Sequence, residues 1–186
     1  MAKQNNKART NSLRIIGGVW RGRKLTFPEV EGLRPTSDRT RETIFNWLQP
    51  SMGGSRCLDL FAGSGALGFE AASRGAAEVV LIENNQQAFL QLKQNADTLK
   101  ASNCVIKNSS ANQAIIELTI PFDIVFIDPP YQADLWTDTA ENLVSQGILS
   151  QGALIYLEYP AKQDMPILPT SWLLLKEKKA GDVKYC

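Results

Sequence analysis

Residues 57–70 read CLDLFAGSGALGFE. Cys57 to Phe61 is a short apolar run of strand character, Ala62-Gly63-Ser64-Gly65 is a turn, and Ala66 to Arg74 resumes as an Ala-rich helix. The stretch therefore predicts a strand, a tight glycine turn and a helix start. Glycine tolerates positive φ and carries no Cβ, so backbone N–H groups and the positive end of the helix can come close to a ligand. Gly63, Gly65 and Gly68 satisfy G-x-G-x-x-G, a spacing shared by nicotinamide dinucleotide sites and by other sites for ribose-bearing cofactors. On glycines alone the turn is equally compatible with a plain strand-to-helix connection.

Two acidic residues narrow that choice. Asp59 lies inside the strand, and Glu83 ends the next apolar run, EVVLIE, at Glu78 to Glu83. An acidic side chain about 20 positions beyond the turn is placed to accept the hydroxyl pair of a ribose. A third feature is Asp128-Pro129-Pro130-Tyr131, directly after the apolar run Phe122 to Ile127. Two prolines extend neither a ladder nor a helix interior, so they fix a turn at the carboxyl end of a strand, the edge where open α/β sheets bind ligands. The turn groups a carboxylate, a prolyl carbonyl with no competing N–H at Pro130, and an aromatic face. Two acceptors can hold an exocyclic amino group while Tyr131 stacks on the base that carries it. The plainer alternative makes Asp128 a helix cap and Tyr131 a packing residue.

Around these motifs the strands alternate with helices. Expected strands are Cys57 to Phe61, Glu78 to Glu83, Cys104 to Lys107, Phe122 to Asp128 and Ala153 to Glu158, with Trp172 to Lys176 and Asp182 to Cys186 closing the sheet. Expected helices are Thr40 to Leu48, capped by Thr36 or Ser37, then Ala66 to Arg74, Gln86 to Lys100 and Gln132 to Gln146. Phe89, Leu92, Ala96 and Leu99 form an apolar stripe on the third of these. Pro50 to Ser55 is read as a linker. The pattern is α/β: a doubly wound, mostly parallel sheet with helices on both faces.

With 186 residues, 44% of them hydrophobic, the chain suits one domain with a substantial core. Net charge is +1, but residues 1–41 hold ten of the 20 Lys and Arg against three acids, about +7, which leaves about −6 on the rest. That asymmetry indicates a phosphate-binding arm on an acidic body. Three single cysteines and no histidine indicate reduced thiols, no metal site and chemistry without an imidazole. No apolar run approaches the ~20 residues of a membrane span and the first residues are polar, which places the protein in the cytoplasm.

Met1 to Ser12 reads as a flexible basic tail. Residues 13–34 follow as an N-terminal β-hairpin extension, with the β-like runs LRII and KLTF flanking Gly17-Gly18 and Arg21-Gly22-Arg23. Arg14, Arg21, Arg23 and Lys24 line it as a cluster facing RNA, and Trp20 either stacks on a base or packs beneath. Arg34, Arg39 and Arg41 extend the cluster to the first helix, although Arg39 and Arg41 could instead pair with Asp38 and Glu42. Residues 35–186 form the main domain.

Taken together, LDLFAGSGALGFE, VVLIEN and DPPY resemble the class I S-adenosylmethionine-dependent methyltransferases that act on amino nitrogens of nucleic-acid bases. RIIGGVWRGRKL and LRPTSDRTRETIFNWL narrow the resemblance to the bacterial family that methylates the guanine N2 amino group in 16S ribosomal RNA. The likeness runs from about Leu13 to the end of the chain. It implies a Rossmann-like, seven-stranded sheet with an antiparallel last strand, and a monomer acting on 16S rRNA within a small ribosomal subunit. It also implies a catalytic set of Asp128, Pro129 and Tyr131. The cofactor set for S-adenosyl-L-methionine comprises Asp59, Phe61, Ala62, Gly63, Ser64, Gly65, Gly68, Glu83, Asn84, Ser110, Ala111 and Asp128. Ser110 and Ala111 stand in for an acidic adenine contact that Asn108-Ser109-Ser110-Ala111 does not provide. An NAD-dependent oxidoreductase, an amino methyltransferase acting on another base or a protein amide, and a non-catalytic ribosome-assembly module remain as alternatives.

Overall fold

A computed structural model describes residues 10–29 and 36–186. Strands β1 (Thr10–Arg14) and β2 (Lys24–Pro28) pair antiparallel, Leu13 opposite Leu25. After the first helix, α1 (Asp38–Met52), the chain runs β3 (Arg56–Asp59), α2 (Ala66–Ser73), β4 (Glu78–Glu83), α3 (Gln86–Leu99), β5 (Cys104–Asn108), α4 (Ala111–Glu117) and β6 (Phe122–Ile127). It continues through α5 (Trp136–Ser145) and β7 (Leu149–Pro160) to the hairpin β8 (Lys178–Ala180) and β9 (Val183–Tyr185). The seven-stranded sheet has the order β5-β4-β3-β6-β7-β9-β8. Neighbours from β5 to β7 are parallel, and β9 is antiparallel to both β7 and β8. The fold is the expected doubly wound, Rossmann-like one.

Period-two alternation explains the two layers. Cys57, Val79, Leu81, Ile124 and Phe126 face a core shared with α1, α2, α3 and the β1–β2 hairpin. Leu58, Val80, Ile82, Val125 and Ile127 face a second core with α4 and α5. Each fully buried large side chain among them, such as Phe69 or Phe126, contributes about 1.5–3 kcal/mol. The strand order reverses between β3 and β6, and a cleft opens where their carboxyl ends part.

Several boundaries differ from the sequence reading. Helix α1 continues through Pro50 to Met52 rather than ending in a linker, because a proline in the last turn gives up only one intrahelical hydrogen bond. A short helix, α4, follows Ser110, whose hydroxyl accepts the N–H of Gln113; its seven residues carry too little periodicity to stand out. The buried stripe of α3 is Ala88, Leu92, Asn95 and Leu99, with Ala88 in place of Phe89 and the polar Asn95 in place of Ala96. The amide of Asn95 donates to the Thr26 carbonyl at 2.8 Å and so fastens β2 to the helix. Trp172 to Lys176 is not a strand: Leu173 to Leu175 are exposed, and β9 pairs with Lys178–Ala180 across a two-residue turn. Strand β1 starts at Thr10, inside the stretch read as tail.

Candidate active site

The cleft at the switch point encloses about 1260 Å³. Its walls come from the β3–α2 turn, the ends of β4 and β6, the start of α4, residues 36–40 at the start of α1, and the β8–β9 turn. Asp59, Phe61, Ala62, Gly63, Ser64, Glu83, Asn84, Ser110, Ala111, Asp128, Pro129 and Tyr131 all line it, so residues up to 72 positions apart in sequence meet at one place.

The glycine turn is held from below by the two acids. The Asp59 carboxylate accepts the N–H of Gly68 at 2.9 Å, inside the first turn of α2. It is buried, and burial pushes its pKa up to about 7 against the pull of that hydrogen bond. Glu83 accepts the N–H of Gly63 at 2.7 Å and that of Asn85 at 2.6 Å. Burial raises its pKa as well, and the backbone donors oppose the shift. A carboxylate accepts more than two hydrogen bonds, so a Glu83 fixed in this way still offers lone pairs to a diol across the turn. Gly65 has φ +79° and is the N-cap of α2; like Gly68 it does not line the cleft. Its Cβ would come within 2.5 Å of the Phe69 ring. These two glycines shape and pack the turn, while Gly63 faces the cavity.

At the end of β6, Asp128 is half-buried and Pro129 is buried. The Asp128 carboxyl is held well above the ordinary range, by burial first and then by the charges of Glu158 and Asp59. Tyr131 is 38% exposed and lies beside the Trp136 ring, with centroids 6.3 Å apart and planes 29° apart. Its hydroxyl donates to Glu158 Oε1 at 2.9 Å. Glu158 Oε2 accepts the Tyr156 hydroxyl at 2.7 Å, and the Glu158 backbone carbonyl accepts the Trp136 indole N–H at 2.7 Å. Glu158 is thus the hub behind the Asp-Pro-Pro-Tyr turn, and the sequence reading missed it. Its position at the carboxyl end of an expected strand was the available signal. Thr36, Ser37 and Thr40 line the cleft from the start of the first helix, and the reading also missed the 180–183 turn, which lines it too.

The basic residues do not line the cavity. Arg14, Arg21, Arg23 and Lys24 are exposed on the β1–β2 hairpin, with Arg23 donating to the Thr98 carbonyl at 3.1 Å. Trp20 is half-buried and packs on the core beneath the hairpin. Arg39 is exposed, and Arg34 lies outside the described residues. Arg41 is a correction to the RNA-facing set. Its side chain is 0% exposed, bonded to Asp38 at 2.6 Å, to the Arg14 carbonyl at 2.9 Å and to Glu70 at 3.5 Å, because it sits on the inward face of α1. Among the described residues no cluster of three or more Cys, Asp or Glu side chains is arranged to hold a metal ion, and no helix is long and apolar enough to cross a membrane.

Comparison with known proteins gives this geometry its context. The model of the family described as Conserved hypothetical protein 95 matches residues 13–186. A relative from Escherichia coli K12, ribosomal RNA small subunit methyltransferase D, is 48% identical over 98% of this chain and 92% of its own length. The protein of that name from Haemophilus influenzae is 47% identical over 93% and 91%. Among solved structures, Escherichia coli yhhF superposes with a TM-score of 0.88 at 46% identity, covering 94% of this chain and 96% of that one. The Thermus thermophilus 16S rRNA N2 G1207 methyltransferase, solved with AdoMet and guanosine, gives a TM-score of 0.65 at 25% identity, with 95% of this chain matched to 49% of that one. The chain belongs to the family of the bacterial ribosomal RNA small subunit methyltransferases D.

Proposed function

We propose that this protein transfers the methyl group of S-adenosyl-L-methionine to the exocyclic N2 of a guanine in 16S rRNA, within an assembled or partly assembled small ribosomal subunit in the cytoplasm, acting as a monomer. The observation that carries the reading is the meeting of Asp128, Pro129 and Tyr131 with the Gly63 turn and Glu83 in one cleft. The Thermus thermophilus relative, captured with AdoMet and guanosine, supports the same pairing of cofactor and base.

The donor set fits the cofactor. Glu83 is fixed by two backbone N–H groups with acceptor capacity left for ribose hydroxyls, and the Gly63 turn brings main chain to the cavity. Phe61, Ala62, Ser64, Asn84, Ser110 and Ala111 wall the remainder. When bound, S-adenosylmethionine supplies an electrophilic methyl already activated by the sulfonium.

The protein must orient a poor nucleophile, since the lone pair of an aromatic amine is delocalised into its ring. The Asp128 carboxylate and the Pro129 carbonyl accept the two amine hydrogens, favouring the pyramidal form and stabilising positive charge as it develops. Tyr131 stacks on the base, which offsets part of the few kcal/mol spent in unstacking it. One amine proton then passes to Asp128 or to water. No imidazole is needed, and the chain has none. Arg14, Arg21, Arg23, Lys24 and Arg39 are the RNA contacts in this reading.

Labelled methyl transfer to unmodified small subunits, with naked 16S rRNA and DNA as parallel acceptors and nucleoside analysis of the products, tests the proposal. Label in N2-methylguanosine from the subunits is expected. Label in another nucleoside, or in none, overturns it.

A further inference from the structure

The β8–β9 hairpin and the residues just before it carry four lysines within nine residues: Lys176, Lys178, Lys179 and Lys184. The acids of the same stretch are Glu177 and Asp182, and Glu177 accepts the hydroxyl of Tyr159. Among the described residues the ion pairs within 4.0 Å are made by Arg41, Arg56 and Arg74, and none of these four lysines makes one. Lys179 and Lys184 are direct cross-strand partners, a like-charge pairing that an antiparallel ladder disfavours unless an anion lies over it. Three of the ammonium groups are set against aromatic rings. Lys184 is 5.8 Å from the Tyr159 ring, and Lys176 and Lys178 are 5.7 and 5.8 Å from that of Trp47. The turn they flank, residues 180–183, is part of the wall of the catalytic cleft.

Lysines on an outer strand also discourage edge-to-edge aggregation, and β8 is such an edge. That role does not account for Lys184, which lies on β9 with a strand on either side.

We propose that the β8–β9 hairpin is a second phosphate-binding surface, gripping the RNA backbone beside the target nucleotide as it enters the cleft. The inference rests on the reading of the protein as an rRNA methyltransferase. The RNA then meets basic residues at two separate places in the sequence, the β1–β2 hairpin and this one. The contacts are to phosphates, so they strengthen binding without regard to base sequence.

The test measures binding of unmodified full-length 16S rRNA, and of a scrambled single-stranded RNA, across a salt series. It compares the wild-type protein with Lys179→Gln/Lys184→Gln and with Lys179→Arg/Lys184→Arg. Loss of two phosphate contacts lowers the slope of log affinity against log salt by about 1.4–1.8 and weakens both RNAs about tenfold near 0.1 M salt. The arginine pair restores both. The dissociation constant of S-adenosylmethionine and the thermal midpoint stay at wild-type values, which separates the effect from misfolding. A glutamine variant matching the wild-type slope and affinity overturns the hairpin inference alone. A wild-type protein that binds S-adenosylmethionine but neither these RNAs nor unmodified small ribosomal subunits overturns the rRNA reading and the hairpin inference together.

Discussion

In the proposed reaction Asp128 concentrates the chemistry at the residue scale. Its carboxyl is raised by burial and by the neighbouring charges of Glu158 and Asp59, so it takes up a proton at a higher pH than an ordinary carboxylate near 4. Only the anion supports the developing positive charge, so methyl transfer falls on acidification with a midpoint well above pH 4. Asp128→Asn keeps one acceptor oxygen but does not titrate. Its residual rate, about 10²–10³-fold lower at neutral pH, is flat over the same interval in a kcat–pH profile. In the same proposal Glu83 serves the other substrate. Glu83→Ala, on this reading, removes the ribose acceptor and the bond from Gly63 that holds the turn, raising the cofactor dissociation constant about 10–100-fold by calorimetry. Turnover at saturating cofactor changes little. Glu158 acts through Tyr131, whose hydroxyl it accepts at 2.9 Å. Tyr131→Phe and Glu158→Gln are therefore expected to be non-additive: the double variant turns over no more slowly than the slower single one, a coupling of about 1 kcal/mol or more in a double-mutant cycle on kcat.

The elements explain which motifs the sequence made legible. CLDLFAGSGALGFE, EVVLIE and FIDPPY each join a short apolar strand to the turn that follows, so local pattern alone locates both the strand and its functional end. RIIGGVWRG and RPTSDRTRE have no such local logic, because their meaning lies in one buried contact between distant elements. Glu70 of α2, 0% exposed, accepts the N–H groups of Ile16 and Gly17 at 2.8 Å each, the Arg74 Nε at 2.7 Å and the Arg41 guanidinium at 3.5 Å. Ser73 adds a bond to the Gly17 carbonyl at 2.6 Å and accepts the Trp20 N–H at 2.9 Å. Gly18, at φ +73°, packs so closely that a Cβ there would lie 1.8 Å from the Ser73 carbonyl oxygen. Arg41 looked like an RNA contact because composition cannot distinguish the inward face of a helix from the outward one. Breaking this knot leaves a buried guanidinium without its inner carboxylate. Glu70→Ala is thus expected to cost about 3–5 kcal/mol in chemical denaturation, far more than a surface glutamate.

For the whole molecule, the parallel sheet and its cleft were legible because strands buried on both faces leave nearly continuous apolar runs, and ligands gather at their carboxyl ends. Of the last hairpin only β9 was, within the expected Asp182 to Cys186; β8, three residues of Lys and Ala, carries no apolar signal, whereas the exposed run Leu173 to Leu175 does. The amino-terminal extension separates charge from packing most sharply. Its arginines and lysine face outward, but Leu13, Ile15, Leu25 and Phe27 belong to the same core as α1, α2 and α3. Two kinds of change should therefore diverge. Replacing Arg14, Arg21 and Lys24 with Gln leaves the thermal midpoint near wild type and lowers RNA affinity, with a salt slope reduced by about 2–3. Deleting residues 10–28 instead uncovers the apolar faces of α1 and α3 and strips Glu70 of two of its donors. The truncated protein is expected to melt more than 10 °C lower or to precipitate, as about 1.5–3 kcal/mol per lost core side chain implies. Calorimetry beside RNA binding on both proteins decides the matter, and a truncated protein as stable as the full chain would mean that the hairpin is an appendage rather than part of the core.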